Sequence, residues 1–164
     1  MTGGSRGIGA ATARLCARAG WDVALNYAHD AAAAEQVADE VRALGRRALA
    51  LQADVADEQQ VRRMFEQVDA GLGRLTGLVN NAGIVAPRAR LEDMAPERWR
   101  RVFEVNVMGT LLCCQLAAQG IRLARQIGPL RGVVGEPQPV AIQQGARALQ
   151  GLFDSIGGEN TKDH

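Results

Sequence analysis

The spacing of apolar residues predicts that helices and strands alternate along residues 1–116. In the first 20 residues, apolar side chains recur three and four positions apart, which indicates a helix from about Arg6 to Ala19 that ends at Gly20. The face of this helix expected to be buried carries Ile8, Ala11, Leu15 and Ala19. A strand over 21–27 follows, and then a helix that starts after Asp30 and stops at Gly45.

Two more strands and two more helices continue this pattern. A second strand is expected at 48–52 and a third, apolar one at 75–79. Asp57, with Gln60 three residues later, resembles a capping box at the start of the helix between them. The apolar face of that helix is expected to carry Val61, Met64, Phe65, Val68 and Leu72. A last, long helix is expected from Pro96 to about Ala118.

Strands separated by single helices imply right-handed crossovers and a parallel sheet with helices on both faces. The predicted fold class is therefore α/β, a doubly wound parallel sheet. Residues 117–164 break the alternation, because their 48 positions contain eight glycines and three prolines. They are expected to form an irregular tail with one short amphipathic helix, which carries Ile142, Ala146, Leu149 and Phe153.

Composition and charge exclude several classes of function. With 19 basic and 18 acidic residues the formal net charge is +1, which provides no basic field to attract nucleic acid or anionic lipid. The uninterrupted apolar stretches are much shorter than the roughly 20 residues that span a bilayer, so no membrane segment is expected. Polar and glycine residues directly after Met1 do not resemble a secretory signal, which favours the cytoplasm. The three cysteines lack metal-ligand spacing, so no metal site is expected.

Gly3, Gly7 and Gly9 form a predicted tight turn that opens the first helix. Without side chains, such a turn lets the backbone approach a phosphate, whose charge the helix amides and dipole stabilise. A phosphate-binding loop of the nucleotide-triphosphatase type needs a lysine after its last glycine, and no lysine lies near. A plain glycine-rich turn with no ligand is the remaining alternative.

Four segments together resemble the short-chain dehydrogenase/reductase family over residues 1–116. They are Thr2-Gly3-x-x-x-Gly7-x-Gly9, Asp54-Val55, Asn80-Asn81-Ala82-Gly83, and Asn106 within 103–107. The resemblance implies a Rossmann-like domain over 1–116 that binds a nicotinamide dinucleotide. It also implies hydride transfer between that cofactor and a small carbonyl or alcohol substrate.

The resemblance assigns a role to several of these residues. Asp54 would hold the adenine amino group beside the Val55 amide, and Asn81, Ala82 and Gly83 would line the nicotinamide side. Asn106 would act as a catalytic residue that organises a proton relay through a water molecule. The complete set of expected cofactor contacts is Gly3, Ser5, Arg6, Gly7, Ile8, Gly9, Asn26, Tyr27, Asp54, Val55, Asn81, Ala82 and Gly83.

Physical chemistry supports one common site but leaves alternatives for single residues. The carboxyl ends of parallel strands meet at one edge of the sheet, where doubly wound folds bind ligands. Asn80 and Asn81 are also suited to closing a turn at a strand end, and Asp54 is also suited to an ordinary loop. Asn106 is predicted to lie in an apolar helix face, where a structural asparagine with satisfied hydrogen bonds is the alternative to a water-binding one. That face is expected to carry Trp99, Val102, Phe103, Thr110, Cys113 and Ala117.

The end of the first predicted strand favours NADP over NAD. An acidic residue there would bind the ribose 2′-hydroxyl and repel a 2′-phosphate, but the strand ends in Asn26 and Tyr27. Arg6, inside the glycine turn, is available to pair with the phosphate. A solvated Arg6 with no ligand is the alternative.

The sequence departs from the family in two places. The family has a central strand directly before Thr2, and the sequence begins at Met1, so the sheet is expected to lack that first strand. A start codon assigned too far downstream is the preferred explanation. The family's catalytic segment with its serine and Tyr-x-x-x-Lys pair is also expected to be absent, since Tyr27 and Lys162 are the only tyrosine and lysine. The segment 116–122 is similar to the family segment beyond that pair, which suggests an internal deletion.

Three hypotheses follow for the function. The first is an NAD(P)-dependent oxidoreductase, impaired because the proton-donating pair is absent. The second is a catalytically inactive NADP-binding module or oligomer partner, which would associate through the 96–118 helix. The third is a truncated product without function.

Overall fold

The α/β class predicted from the sequence is confirmed by the computed structural model, which describes residues 1–87 and 89–127. Its helices are α1 (Gly7–Arg18), α2 (Ala31–Ala43), α3 (Glu58–Leu72), α4 (Pro96–Phe103) and α5 (Gly109–Ile127), and its strands are β1 (Val23–Tyr27) and β2 (Ala48–Gln52). A π-helical turn, Glu104–Met108, joins α4 to α5. A short 3-10 turn, Leu91–Asp93, precedes α4.

The sheet positions the start of the chain between β1 and the segment that leads to Asn80. β1 and β2 pair in parallel from Val23 opposite Ala48 to Tyr27 opposite Gln52. Met1–Gly4 runs along the other edge of β1, where Gly4 N–H donates to the Asn26 carbonyl at 2.8 Å. On its far side, Thr2 N–H donates to the Val79 carbonyl at 2.9 Å. The glycine turn therefore begins in the middle of the sheet.

The third predicted strand, 75–79, is not present as a strand. Leu78 is buried as predicted for an apolar segment, but the segment's one backbone hydrogen bond to Met1–Gly4 is the bond to Thr2. A strand requires a ladder of such hydrogen bonds, and the single bond from Thr2 to Val79 does not form one. The segment is extended without being part of a regular ladder.

Two apolar cores cover opposite faces of the strands. Val23, Leu25 and Ala48 face the first core, which α1 and α2 complete. Leu51 and Ala53, on the alternate side of the second strand and its extension, face the second core with α3 and α5. Helices thus cover both faces, as the predicted doubly wound arrangement requires.

The buried face of α1 differs from the prediction. Ile8 and Leu15 are exposed, at 79% and 60%, whereas Ala10, Ala13 and Ala17 are buried. Both sets have spacings of three and four, so periodicity alone does not distinguish them. The alanine face is the buried one because α1 packs against α2, whose facing residues include Ala34 and Ala38, and small side chains allow close approach.

The predicted helix ends agree with the structure in most places. Asp30 Oδ1 accepts a hydrogen bond from Ala33 N–H at 2.9 Å, and Asp57 Oδ1 accepts one from Gln60 N–H at 3.0 Å. Gly20 and Gly45 end α1 and α2 with φ values of +92° and +78°. Val61, Met64 and Val68 of α3 are buried as predicted.

The long C-terminal helix begins at Pro96 as predicted but does not end near Ala118. It continues to Ile127, so residues 117–127 are helical rather than irregular. The remainder of the predicted tail, with its amphipathic helix at 142–153, lies outside the described residues. The division of the chain at 116–117 therefore stays a prediction.

Among the described residues, the helical run Pro96–Gly120 is long and apolar enough by length and composition to cross a membrane. The sequence prediction of no membrane segment was based on uninterrupted apolar stretches, which are too short to span a bilayer. The whole helix, with its polar residues included, is long and apolar enough. Core helices of globular proteins meet the same criterion, and Val105, Cys113 and Ala117 of this run are buried in the second core. In the apolar 18-residue stretch of this run, 22% of the residues are buried, and the buried apolar side chains pack with α3 in the second core.

Candidate functional site

The glycine turn leaves open space in front of the first turn of α1. Gly7 has a φ of +54°, and a Cβ built on it would meet no atom within 4 Å. Arg6 is the N-cap residue of α1, but its side chain makes no capping hydrogen bond, and the first turn carries no acidic residue. The amides at this helix end therefore face a space that suits an anionic group, which is the arrangement that phosphate binding requires.

Behind this open side, the turn is packed too tightly for side chains. A Cβ on Gly9 would lie 2.2 Å from the Gly3 carbonyl oxygen and 2.6 Å from Asn81 Nδ2. Gly3 itself has a φ of +62°, with the Ala82 backbone against it. The glycines are therefore required by the turn itself, and the missing side chain at Gly7 also leaves room for a ligand.

Asn81 holds the glycine turn to the loop that follows the 75–79 segment. Its Nδ2 donates to the carbonyls of Thr2 and Gly3, at 3.1 and 2.8 Å. The buried Thr2 hydroxyl accepts in return from the backbone N–H groups of Asn81 and Ala82, both at 3.0 Å. Asn80 fixes the same loop to α5, since its Nδ2 donates to Cys114 Sγ at 3.1 Å. The structure thus brings residues 2–9 and 80–83 together at one edge of the sheet, as the motif order predicts.

Asn26, a predicted cofactor contact, is buried and uses its amide within the protein. Its Oδ1 accepts from Gly3 N–H at 3.3 Å, and its Nδ2 donates to the Ala53 carbonyl at 2.8 Å. The Tyr27 carbonyl accepts from Ala53 N–H at 3.0 Å, and the Tyr27 side chain packs against the first core. Asn26 therefore links the glycine turn to the end of β2, and a contact of either residue with a cofactor stays a prediction.

Asp54 lies directly beyond β2, and its carboxylate has partners on both oxygens. Oδ1 accepts from Ala56 N–H at 3.0 Å, and Oδ2 accepts from Arg101 on α4. Its own N–H donates to Gln60 Oε1 at 3.0 Å. Gln60 Nε2 also donates to Asp57 Oδ2 at 2.8 Å, so the Gln60 side chain joins this loop to the helix cap but does not bond the Asp57 N–H, which the full capping box requires. The neighbouring Val55 is buried against Gly109, where an added Cβ would lie 2.8 Å from Val55 Cγ2.

The side-chain amide of Asn106 makes both of its hydrogen bonds to the backbone of one residue, Ile84. Its Oδ1 accepts from Ile84 N–H at 2.8 Å, and its Nδ2 donates to the Ile84 carbonyl at 2.9 Å. Asn106 therefore has the satisfied hydrogen bonds of a structural asparagine. It does not lie in the predicted apolar helix face, since Asn106 is exposed and Phe103 is 60% exposed. The π-helical turn adds a residue to the helix at this point and changes which side chains share a face.

The remaining predicted residues are exposed or half-buried. Arg6, Gly7 and Ile8 are exposed, Ser5 is half-buried, and Gly83 is exposed at the end of its loop. Within residues 1–87 and 89–127, no ion pair to Arg6 is formed. A guanidinium is thus available beside the helix end.

Sequence reasoning missed Arg101 as a contributor to the site. It named Thr2 within the glycine motif and Gln60 within a capping box, but it did not predict that the Thr2 hydroxyl holds the amides of Asn81 and Ala82 or that Gln60 bonds the Asp54 amide. Arg101 reaches Asp54 across 47 residues, and its sequence neighbourhood of arginines and glutamates resembles an ordinary solvated helix face.

Comparison with known proteins gives the same family as the motifs. Residues 1–129 match the model of the short chain dehydrogenase family. The chain is 42% identical to the oxidoreductase YgfF of Escherichia coli, over 95% of the chain and 65% of YgfF. It is 37% identical to the 3-oxoacyl-[acyl-carrier-protein] reductase FabG of Staphylococcus aureus, over 84% of the chain and 57% of FabG.

Solved structures agree with this result. A short-chain dehydrogenase from Burkholderia cenocepacia, crystallised in complex with NADP, is 44% identical and superposes with a TM-score of 0.70. The match covers 73% of this chain and 48% of that one. The chain thus spans about half to two thirds of the length of the relatives it matches. On the family model, the shared motifs and the superposed fold, the chain belongs to the short-chain dehydrogenase/reductase family.

Proposed function

We propose that the chain binds NADP(H) at the edge formed by residues 2–9, 54–55 and 80–83. The observation that carries this proposal is the uncapped start of α1, which faces open space at Gly7 and is braced from behind by Asn81. The pyrophosphate would bind the α1 amides, Asp54 and Val55 would hold the adenine, and residues 81–83 would line the nicotinamide side. When bound, the nicotinamide supplies or accepts a hydride. The NADP in the Burkholderia cenocepacia relative supports this choice of ligand.

The preference for NADP over NAD rests on charge. β1 ends in Asn26 and Tyr27, so no carboxylate repels a 2′-phosphate there, and Arg6 is exposed beside the turn without an ion pair among the described residues. A charge-assisted hydrogen bond from Arg6 would favour the phosphorylated cofactor by about tenfold in affinity. NAD is the less favoured cofactor.

Fluorescence titration with NADPH and NADH tests this preference. Arg6→Met is expected to weaken NADPH binding about tenfold and to leave NADH binding nearly unchanged. Arg18→Met, at the far end of the same helix, is the matched control and is expected to change neither affinity. Equal or tighter binding of NADH by the unsubstituted chain would refute the preference.

The proposed chemistry is hydride transfer between the nicotinamide cofactor and a small carbonyl or alcohol, strongly impaired in these 164 residues. The Tyr-x-x-x-Lys pair that the family uses is absent from this sequence, and Tyr27 packs against the first core. Loss of a positioned proton donor costs about 10²–10⁴ in rate. Asn106 is proposed to position groups at the reacting end through its bonds to Ile84.

A turnover assay tests the impairment. NADPH oxidation with a panel of small carbonyl compounds is expected to run at least about 100-fold slower than for YgfF assayed in parallel. Turnover comparable to that of YgfF on any compound of the panel would refute the impairment. The panel would then also identify the substrate class.

A second proposed role is association of two copies through the 96–118 helix. Trp99, Phe103, Val107, Met108 and Leu111 are large apolar residues of this run, and all of them are exposed. Trp99, Phe103, Val107 and Leu111 follow one another at intervals of four residues, with Met108 next to Val107. An apolar row of this kind is typical of a helix that packs against a partner. Phe103→Glu is expected to convert a dimer into a monomer in analytical ultracentrifugation. A monomer in the unsubstituted chain would refute this role.

We also propose a cytoplasmic location. All three cysteines are free, which agrees with a reducing compartment. Cell fractionation tests the location, and recovery from a secreted or membrane fraction would contradict it.

A further inference from the structure

The carboxylate of Asp54 is already in use before any adenine binds. Ala56 N–H occupies Oδ1, and Arg101 occupies Oδ2 from the last turn of α4. The proposed contact with adenine needs an acceptor on this same carboxylate, because the adenine amino group is a donor. Oδ2 is the oxygen that the loop backbone leaves free, and it is the one that Arg101 takes.

Arg101 has little else to hold it in place. Among residues 1–87 and 89–127, its other ion pair is with Glu104, one turn later on the helix, with an Nη1 to Oε2 distance of 3.8 Å. The pair with Asp54 is partly exposed, with 44% of the Arg101 side chain and 34% of the Asp54 side chain accessible. An ion pair of this exposure is weak and reversible, so a ligand is able to displace it.

We propose that Arg101 competes with the adenine amino group for Asp54 Oδ2 and thereby sets the affinity of the chain for its cofactor. This inference rests on the proposed binding of NADP(H). Arg101 acts as an affinity-determining residue, because its guanidinium stands on the carboxylate oxygen that the adenine amino group would approach. The interaction couples α4, which carries no other proposed cofactor contact, to the adenine end of the site.

Competition and simple electrostatics predict opposite changes in NADPH affinity when Arg101 is replaced. Removing a positive charge near an anionic cofactor normally weakens binding. If Arg101 competes for Asp54, Arg101→Met instead tightens NADPH binding, by about two- to fivefold for a partly exposed pair. An arginine that stacks on adenine or attracts its phosphates would give weaker binding.

The test measures the dissociation constants of NADPH and of its reduced hypoxanthine analogue, in which a carbonyl oxygen replaces the adenine amino group. The analogue offers no amino donor to Asp54, so Arg101→Met is expected to leave its affinity unchanged or lower. The ratio of the analogue's dissociation constant to that of NADPH should therefore rise about two- to fivefold. Arg101→Gln should give the same rise in the ratio.

Arg100→Met is the matched control, because Arg100 lies next in the chain and pairs with Glu97 at 3.9 Å, not with Asp54. It is expected to leave the ratio unchanged, and thermal unfolding verifies that all variants are folded. An unchanged or falling ratio in both Arg101 variants, with normal NADPH binding by the unsubstituted chain, would overturn the competition alone. Failure of the unsubstituted chain to bind NADPH would overturn the proposed function and this inference with it.

Discussion

At the scale of single residues, Gly9 is the most constrained position of the site. An added Cβ would collide with the Gly3 carbonyl and with Asn81 Nδ2, which together hold the turn. Gly9→Ala is therefore expected to lower the free energy of unfolding by about 1–3 kcal/mol, the usual cost of forced overpacking, and to weaken NADPH binding. Urea unfolding and a cofactor titration measure the two effects.

Gly120→Ala is the control for this substitution. Gly120 lies inside α5, and a Cβ there would meet no atom within 4 Å. Its replacement is expected to stabilise the chain by about 0.5–1 kcal/mol, because alanine is the better helix residue. A Gly9→Ala variant as stable as the unsubstituted chain would contradict the described packing of the turn.

Individual site residues differ in how far the sequence determines them. The spacing of Gly3, Gly7 and Gly9 predicts the turn, because only residues without a side chain satisfy its geometry. The bond between Asp54 and Arg101 is not predictable from the sequence, since it depends on how α4 packs over the end of β2. Asn106 shows the same limit, because the π-helical turn that redirects it has no sequence signature.

At the scale of elements, Asp22 joins the starts of both strands. Its carboxylate accepts from the backbone N–H and Nε of Arg47, at 2.9 and 2.8 Å, and Arg47 also bonds to carbonyls at the end of α3. Partial burial alone would raise the pKa of Asp22, but the hydrogen bonds from Arg47 and the charges of Arg46 and Arg47 hold that pKa below its ordinary value of 3.8. The ionised carboxylate thus stabilises the fold.

Asp22→Asn is expected to cost about 1–2 kcal/mol of unfolding free energy near neutral pH. The contribution of Asp22 is fully present above the unfolded-state pKa and is lost as pH falls through the lower folded-state pKa. The difference between variant and unsubstituted chain should therefore shrink as the pH is lowered below the ordinary value of 3.8, as urea unfolding at acid and neutral pH can measure.

Asp39→Asn provides the comparison, since Asp39 pairs with Arg42 at an exposed position and is expected to contribute less than about 0.5 kcal/mol. An Asp22→Asn effect of equal size at acid and neutral pH would contradict this account of the ion pair.

The reactivity of the Cys113 thiol tests how α5 is packed. Burial raises the pKa of Cys113 from 9.0 to about 11, whereas Cys16 and Cys114 are only half-buried. At mildly alkaline pH the thiolate fraction of Cys113 should be about 100-fold below that of an ordinary thiol. Alkylation with iodoacetamide, followed by peptide mass spectrometry, should modify Cys113 last. Equal labelling of all three cysteines would show that α5 is not packed as described.

Element boundaries are largely predictable from sequence because caps act locally. Asp30, Asp57, Pro96 and the glycines at 20 and 45 mark their helix ends without tertiary information. The buried face of α1 is not predictable in this way, since two faces have the same period and contact with α2 decides between them. The 75–79 segment has a strand's composition, but strand formation requires a neighbour with which to pair.

At the scale of the whole molecule, two cores on opposite faces of the sheet hold the proposed cofactor site, at residues 2–9, 54–55 and 80–83, in place. The first core fixes α1 behind the glycine turn, and the second fixes the 80–83 loop through α5. The proposed binding of a nicotinamide dinucleotide therefore depends on packing that lies within residues 1–127. Proton transfer in the family depends on a pair that is absent from this sequence, so binding and turnover are expected to separate in this chain.

Titration of the 164-residue chain with NADPH, by isothermal calorimetry, tests this account most directly. The predicted result is one saturable site per chain that binds NADPH more tightly than NADH and is weakened by Gly9→Ala. The absence of saturable binding would contradict the account and would favour a product without function.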